Sequence, residues 1–315
     1  EKGTIKGIVI GSNSSITGEN YIGSISGFTV NSIIQNCGNN VNISGTNWVG
    51  GIIGEMDHSN LEECYNKGNI SAVSYSGGIV GYIGINKNGE YYLKNSYNEG
   101  DITAEGFLGG IAGVIDTNDD HLINATICNC YNRGTIKGTK TSRLGGIVGR
   151  INGNILVEYC YNLGEINNNG TNSYVGGVVG INRLPANVTS DIKAVINYCY
   201  NTADVISTVS VSSVGGLVGV NENNCYIKNS FRLISAEVKN NTTIATQAVG
   251  TSSNNYTGRL IGKCYDYNEP YIENVYNYIE ENMPTLYNVV NRLNDGESSY
   301  WSNIDVNAPR LLWEK

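Results

Sequence analysis

What most constrains this chain is a six-residue phrase that it writes again and again, Leu144-Gly145-Gly146-Ile147-Val148-Gly149. Close copies begin at Val49, Ser76, Leu108, Val175 and Val214, and worn ones at Ile22 and Thr257. A second phrase alternates with it. It reads Cys64-Tyr65-Asn66-Lys67-Gly68-Asn69-Ile70 in one unit and Cys130-Tyr131-Asn132-Arg133-Gly134-Thr135-Ile136 in another. Cys160-Tyr161-Asn162 and Cys199-Tyr200-Asn201 repeat its opening, Ser96-Tyr97-Asn98 exchanges Cys for Ser, and the copy at Cys37 is degraded. Such self-similarity marks a solenoid, in which each unit buries its apolar face against the next.

Successive copies of the second phrase lie 27 to 45 residues apart, so a constant scaffold carries loops of varying length. Within a unit, Val, Ile, Tyr, Thr, Gly and Asn favour strands and turns over helices. Three short strands per unit are expected: one ending in Cys-Tyr-Asn, one formed by the glycine box, and one around Ile70, Ile102, Ile136 and Ile166. The fold expected is all-β, a right-handed parallel β-helix of about eight coils. With coils about 4.8 Å apart, that is a rod of roughly 40 Å.

Stacking places like residues in columns. Asn66, Asn98, Asn132, Asn162 and Asn201 should form an amide ladder at a bend, because Asn tolerates left-handed backbone and stacked amides bond along the axis. Cys37, Cys64, Cys130, Cys160 and Cys199 share one position and read as a column of buried thiols. In Val157-Glu158-Tyr159-Cys160-Tyr161, alternation cannot turn both Val157 and Cys160 inward: a bend or bulge falls between them, or Tyr161 is the inward residue instead, and Cys is the one expected. The paired glycines serve either positive φ or close backbone approach, and the sequence leaves both open.

The glycine box alternating with Cys-Tyr-Asn-x-Gly-x-Ile resembles the GLUG-motif repeats of bacterial surface proteins over roughly residues 1 to 280. The resemblance implies a large secreted or wall-attached parent, such as an adhesin or the N-terminal region of an IgA-cleaving metallopeptidase. It carries over no catalytic residue. The opening Lys2-Gly3-Thr4-Ile5-Lys6-Gly7 repeats Arg133-Gly134-Thr135-Ile136-Lys137-Gly138 almost letter for letter, so the expectation is a segment that starts in mid-unit.

The formal net charge is −8 with no basic stripe, which argues against nucleic acid as a partner. No apolar run is long enough to span a bilayer, and no export signal is seen. Among eight cysteines there is no CxxC or His-rich spacing, so no zinc site is expected. The two histidines, His58 and His121, stand in polar stretches, and hydrolase, metalloprotease and nucleotide-binding motifs are missing. Asp116, Asn118 and Asp120 match the first ligands of a calcium loop. His121 then replaces its glycine and Ile127 its final glutamate, so a solvated loop is expected and no cofactor.

Loops 83–92, 114–126 and 181–194 interrupt the repeat and should project from the rod, where binding residues concentrate. Tyr91, Tyr92, Asp116, Asp119 and Asp120 are the candidate ligand contacts there. Tyr256, Tyr265 and Tyr267 also lie off the repeat and could join an aromatic platform. Residues 1–278 form the repeat domain. Residues 279–315 read as a cap over the last coil, with a helix at 284–294 whose apolar face holds Leu286, Val289, Val290 and Leu293. The functional expectation is a non-catalytic spacer or adhesin module, extracellular or at a bacterial cell surface, with a host glycan or extracellular protein as partner. The alternatives are a carbohydrate-active β-helix with acids along a concave face, and an accessory domain of a surface peptidase.

Overall fold

The structure, a computed structural model, describes residues 3–117, 123–185, 193–209, 213–222, 225–233 and 236–244, with further short strands between 257 and 311. The chain is a parallel β-solenoid. Five sheets of eight or nine strands run the length of the rod, and each turn contributes one strand to each sheet, except that Val238–Asn240 and Thr243–Ile244 pair antiparallel at the end of one of them. One turn shows the plan: Asn60–Glu62 on face 1, Tyr65–Asn66 on face 2, Ile70–Ser71 on face 3, Ser76–Gly77 on face 4 and Val80–Ile85 on face 5. The next turn stacks on it in register, pairing Leu61 with Leu93, Tyr65 with Tyr97, Asn66 with Asn98, Ile70 with Ile102 and Gly77 with Gly109.

The corner between faces 1 and 2 is a single left-handed residue. Asn36, Glu63, Asn95, Asn129, Tyr159, Tyr198 and Asn229 hold it in successive turns, with φ between 44° and 55°. Asn is frequent there because it tolerates this region best. Tyr159 and Tyr198 occupy it in neighbouring turns, and their rings stack at 5.2 Å. This one residue turns the chain between Val157 and Cys160, so both are fully buried.

The interior is divided. One core column, lined by Ile34, Leu61, Leu93, Val157, the cysteines and the aliphatic residues that follow the paired glycines of each box, lies among faces 1, 2 and 5. A second, with Ile43, Ile70, Ile102, Ile136, Leu108 and Leu144, lies between faces 3 and 4. At the waist between them runs a file of buried amides. Asn39, Asn66, Asn98, Asn132, Asn162 and Asn201 each donate from Nδ2 to the next or receive at Oδ1 from the last, at 2.7 to 2.8 Å. The second glycine of each box closes the waist. A Cβ on Gly110 would stand 2.4 Å from Asn132 Cγ and 2.1 Å from Gly146 O. Among the described residues no box glycine has positive φ, so close approach is their purpose.

The box is therefore a corner, not the single strand expected from sequence. Ser76–Gly77 ends on face 4, Gly78-Ile79 turns, and Val80–Ile85 begins face 5. Each turn has five strands where three were anticipated, because strands of two or three residues leave too little periodicity to read. Two anticipated loops also shrink. Strand Gly89–Lys94 takes up much of 83–92, and strands Ala112–Thr117 and Ile123–Cys128 take up much of 114–126. The expected helix at 284–294 lies outside the described residues, and no helix occurs among those described.

Candidate ligand-binding site

Faces 4 and 5 meet at a re-entrant seam. Outward side chains from the two faces touch across it: Tyr21 meets Phe28 edge-on with centroids 6.0 Å apart, and Tyr75 meets Tyr82 at 5.8 Å. The third glycine of each box lies in the crook. A Cβ on Gly81 would come 2.6 Å from the backbone nitrogen of Val49, one turn below. Bare backbone in such a crook needs cover. It comes from the residue two positions before each box's first glycine.

That position holds Tyr21, Trp48, Tyr75, Phe107, Arg143 and Tyr174 in six successive turns. The first four rings stack parallel along the rod, at 4.7 Å for Tyr21–Trp48, 5.8 Å for Trp48–Tyr75 and 5.2 Å for Tyr75–Phe107. Guanidinium groups continue the pile. Arg150 lies 4.8 Å over Phe107 and Arg143 lies 4.2 Å over Tyr174. This row was missed in the sequence, although it stands at a fixed offset from every box. Its signal is the recurrence of a flat side chain, ring or guanidinium, at one repeat position.

The opposite wall, on face 5, carries Phe28, Glu55, Tyr82, Val114, Arg150 and Ile181 in register. Burial, and then the neighbouring Asp57 charge, push the Glu55 carboxyl up. The Tyr82 hydroxyl is pushed up by burial and by the Asp116 and Glu55 charges. Burial lowers Arg143, and the positive charges of Arg150 and Arg183 lower it further against the opposing pull of Tyr174.

Of the residues anticipated as ligand contacts, Asp116 lies on strand Ala112–Thr117, not in a loop. Its Oδ2 accepts from Arg150 at 2.7 Å and its Oδ1 from Asn152, so both oxygens are used within the chain. Asp119 and Asp120 lie outside the described residues, as do Tyr256, Tyr265 and Tyr267. Tyr91 and Tyr92 do not form one platform, because neighbours on a strand point to opposite faces. Tyr91 packs on the core beside His58, while Tyr92 faces outward under Lys94, 4.4 Å from its ring. Both border an open groove of about 580 Å³ on face 1 with Thr126, Leu156, Lys193 and Val195.

The cysteine and asparagine columns are interior and touch no ligand surface. Cys37, Cys64, Cys130, Cys160 and Cys199 are free thiols within the larger core. Each donates to the carbonyl two residues before it, at 3.1 to 3.3 Å. Ser96 and Ser230 fill the same slot and make the same bond, at 2.8 and 2.6 Å. Burial raises the Cys64 thiol to about 12 and Cys160 and Cys199 well above the ordinary range. Among the described residues no group of three or more His, Cys, Asp or Glu side chains is placed to hold a metal ion.

No protein-family model matches the chain, and no curated protein matches it in sequence. The GLUG resemblance therefore rests on the quoted residues alone. The chain is similar in structure to a Bacteroides ovatus protein provisionally described as an immunoglobulin A1 protease. The TM-score is 0.60 at 19% identity, over 97% of this chain and 88% of that one. At that identity the likeness concerns the fold.

Proposed function

We propose that the chain is a non-catalytic recognition and spacer module of an extracellular or cell-surface protein, with the seam between faces 4 and 5 seating an extended glycan. The observation that carries this reading is the flat-residue row repeated on six turns at one position of the repeat. A surface periodic at about 4.8 Å suits a ligand that is itself a chain of similar short units, and a linear oligosaccharide is one. Partly exposed rings, tyrosine hydroxyls and guanidinium groups are the side chains that meet sugars through both their apolar faces and their hydroxyls. The connections between faces 5 and 1, at the neighbouring corner, range from three residues after Ile85 to ten after Arg183. Rigid scaffolds bear their recognition loops in this way.

The test is a glycan array with the unaltered chain and Trp48→Ala. We expect binding to a subset of linear glycans, weakened about tenfold in the variant, near 1.4 kcal/mol. Binding that ignores Trp48→Ala, or no glycan bound at all, contradicts the reading.

Glu55 favours a second reading. A carboxyl raised by burial and by a neighbouring carboxylate is the arrangement from which glycoside-cleaving acids are made. Incubation with neutral and acidic polysaccharides decides it: new reducing ends that vanish in Glu55→Gln would replace the non-catalytic account.

A further inference from the structure

Three arginines gather on one stretch of the seam, in a chain whose overall charge is −8. Arg143 takes the place in the row that rings hold in other turns, and its Nη1 donates to the carbonyls of Ser142 and Asn172 at 3.3 and 3.2 Å. Arg150 spends one terminal nitrogen on Asp116, and its Nε has no hydrogen-bond partner. Arg183 donates only from Nε, to Asn152 Oδ1 at 2.9 Å. Among the described residues, Asp116 is the one carboxylate paired within this group. Three fixed cations thus face one anion among the described residues, with the terminal nitrogens of Arg183 bonded to none of them.

Like charges held together at a half-buried surface repel, and arginine does not shed its proton to relieve them. Burial and the two neighbouring guanidinium groups already bear on Arg143. An anion arriving from outside removes that repulsion, and the planar forks match a carboxylate in two-point contact. The other end of the seam has the opposite character. Glu55 and Asp57 lie there with Tyr82 between them and Asp116, so an anionic group is repelled at those turns.

Resting on the proposed glycan seam, we infer that its arginine stretch, Arg143, Arg150 and Arg183, selects acidic oligosaccharides, seating a sugar carboxylate there. The sugar backbone then runs along the row toward Phe107 and Tyr75. Nucleic acid does not fit, because its regular phosphates would meet Glu55 and Asp57 a few turns away.

Calorimetric titration at low salt tests this with three probes: a linear oligogalacturonate, the same oligomer with its carboxyls reduced to alcohols, and poly-glutamate. The expected result is binding of the oligogalacturonate about tenfold tighter than its reduced form, with poly-glutamate weaker than both. Arg183→Gln should remove most of that difference while leaving affinity for the reduced oligomer unchanged. Its single hydrogen bond within the chain makes it a mild substitution, and an unaltered melting curve verifies the fold. Equal affinity for the two oligomers would overturn the arginine selection yet leave the glycan seam standing. Failure of both to bind would overturn both. Poly-glutamate binding as tightly as the sugar, or an Arg183→Gln variant that keeps the full preference, would also overturn it.

Discussion

At Asn162 every hydrogen-bonding position of one amide is occupied inside the protein. Nδ2 donates to Asn201 Oδ1 and to Gly164 O, both at 2.8 Å, while Oδ1 accepts from Asn132 Nδ2 and from Gly164 N at 2.8 and 3.2 Å. Removing it strands polar groups in neighbouring turns with no water to replace it. Asn162→Ala should cost about 3 kcal/mol in denaturant unfolding. Asn167→Ala, on a half-exposed position nearby, should stay within about 0.5 kcal/mol, and equal losses would contradict the distinction. The thiol column makes a chemical prediction. Cys64 raised to about 12, with Cys160 and Cys199 also pushed well above the ordinary thiol range by burial, carries almost no thiolate at pH 8. A thiol reagent should therefore be nearly inert toward these three buried thiols in the native chain and titrate eight cysteines once it is denatured. Reducing agent should leave the melting point unchanged; a drop would mean paired thiols. Glu55 works in the opposite direction to most acids. Its folded pKa is raised, so ionisation costs stability above that value, and the cost disappears as pH falls below the ordinary carboxylate range. Glu55→Gln should be slightly more stable than the parent at pH 7, by less than about 1 kcal/mol, with the gap closing below pH 4. A variant that is less stable at pH 7 would contradict the raised pKa. At this scale the interior was the legible part, since an identical residue at every turn announces a stacked slot. The flat row was not, because ring, indole and guanidinium look unrelated when read as letters.

The short strands owe their places to corners. A left-handed residue turns face 1 into face 2, the Asn-x-Gly bend follows face 2, and the glycine box turns face 4 into face 5. The first corner depends on backbone conformation; the second and third depend on proximity, since a Cβ on Gly134 would fall 2.0 Å from Gly100 O. A methyl on Gly146 would lie 2.1 Å from Gly177 O and 2.4 Å from Asn162 Cγ, so the turns could not close on each other. Gly146→Ala should cost about 3 kcal/mol or more. Gly84→Ala, where the nearest atom is a Tyr82 ring carbon at 3.1 Å, should cost far less. Comparable losses at both would show that the waist is looser than described. Paired glycines in a row of aliphatic residues read equally well as strand or as corner. The choice was hidden in the sequence because it depends on which backbone passes opposite, one turn away. The loop readings failed for a related reason. Gly89–Lys94 and Ile123–Cys128 depart from the repeat in composition, yet pair with each other over six residues, and mutual pairing leaves no mark in either segment alone.

The whole molecule is a rod of two cores joined at a polar waist. Its parallel stacking was legible, because the repeat dictates it. The two-lobed cross-section and the seam it creates were not, because they come from how faces 4 and 5 fold against each other. That seam gathers aromatic, acidic and basic side chains from turns far apart in sequence into one line along the axis. Anchoring groups from many turns also makes the surface rigid, so a ligand binds with little ordering cost. The most direct test is a crystal of the chain soaked with linear oligogalacturonate. The account predicts sugar density lying along the seam beside Phe107, Arg143 and Tyr174, with a carboxylate at Arg183. Density only in the face 1 groove at Tyr92 and Leu156, with the seam bare, would contradict it.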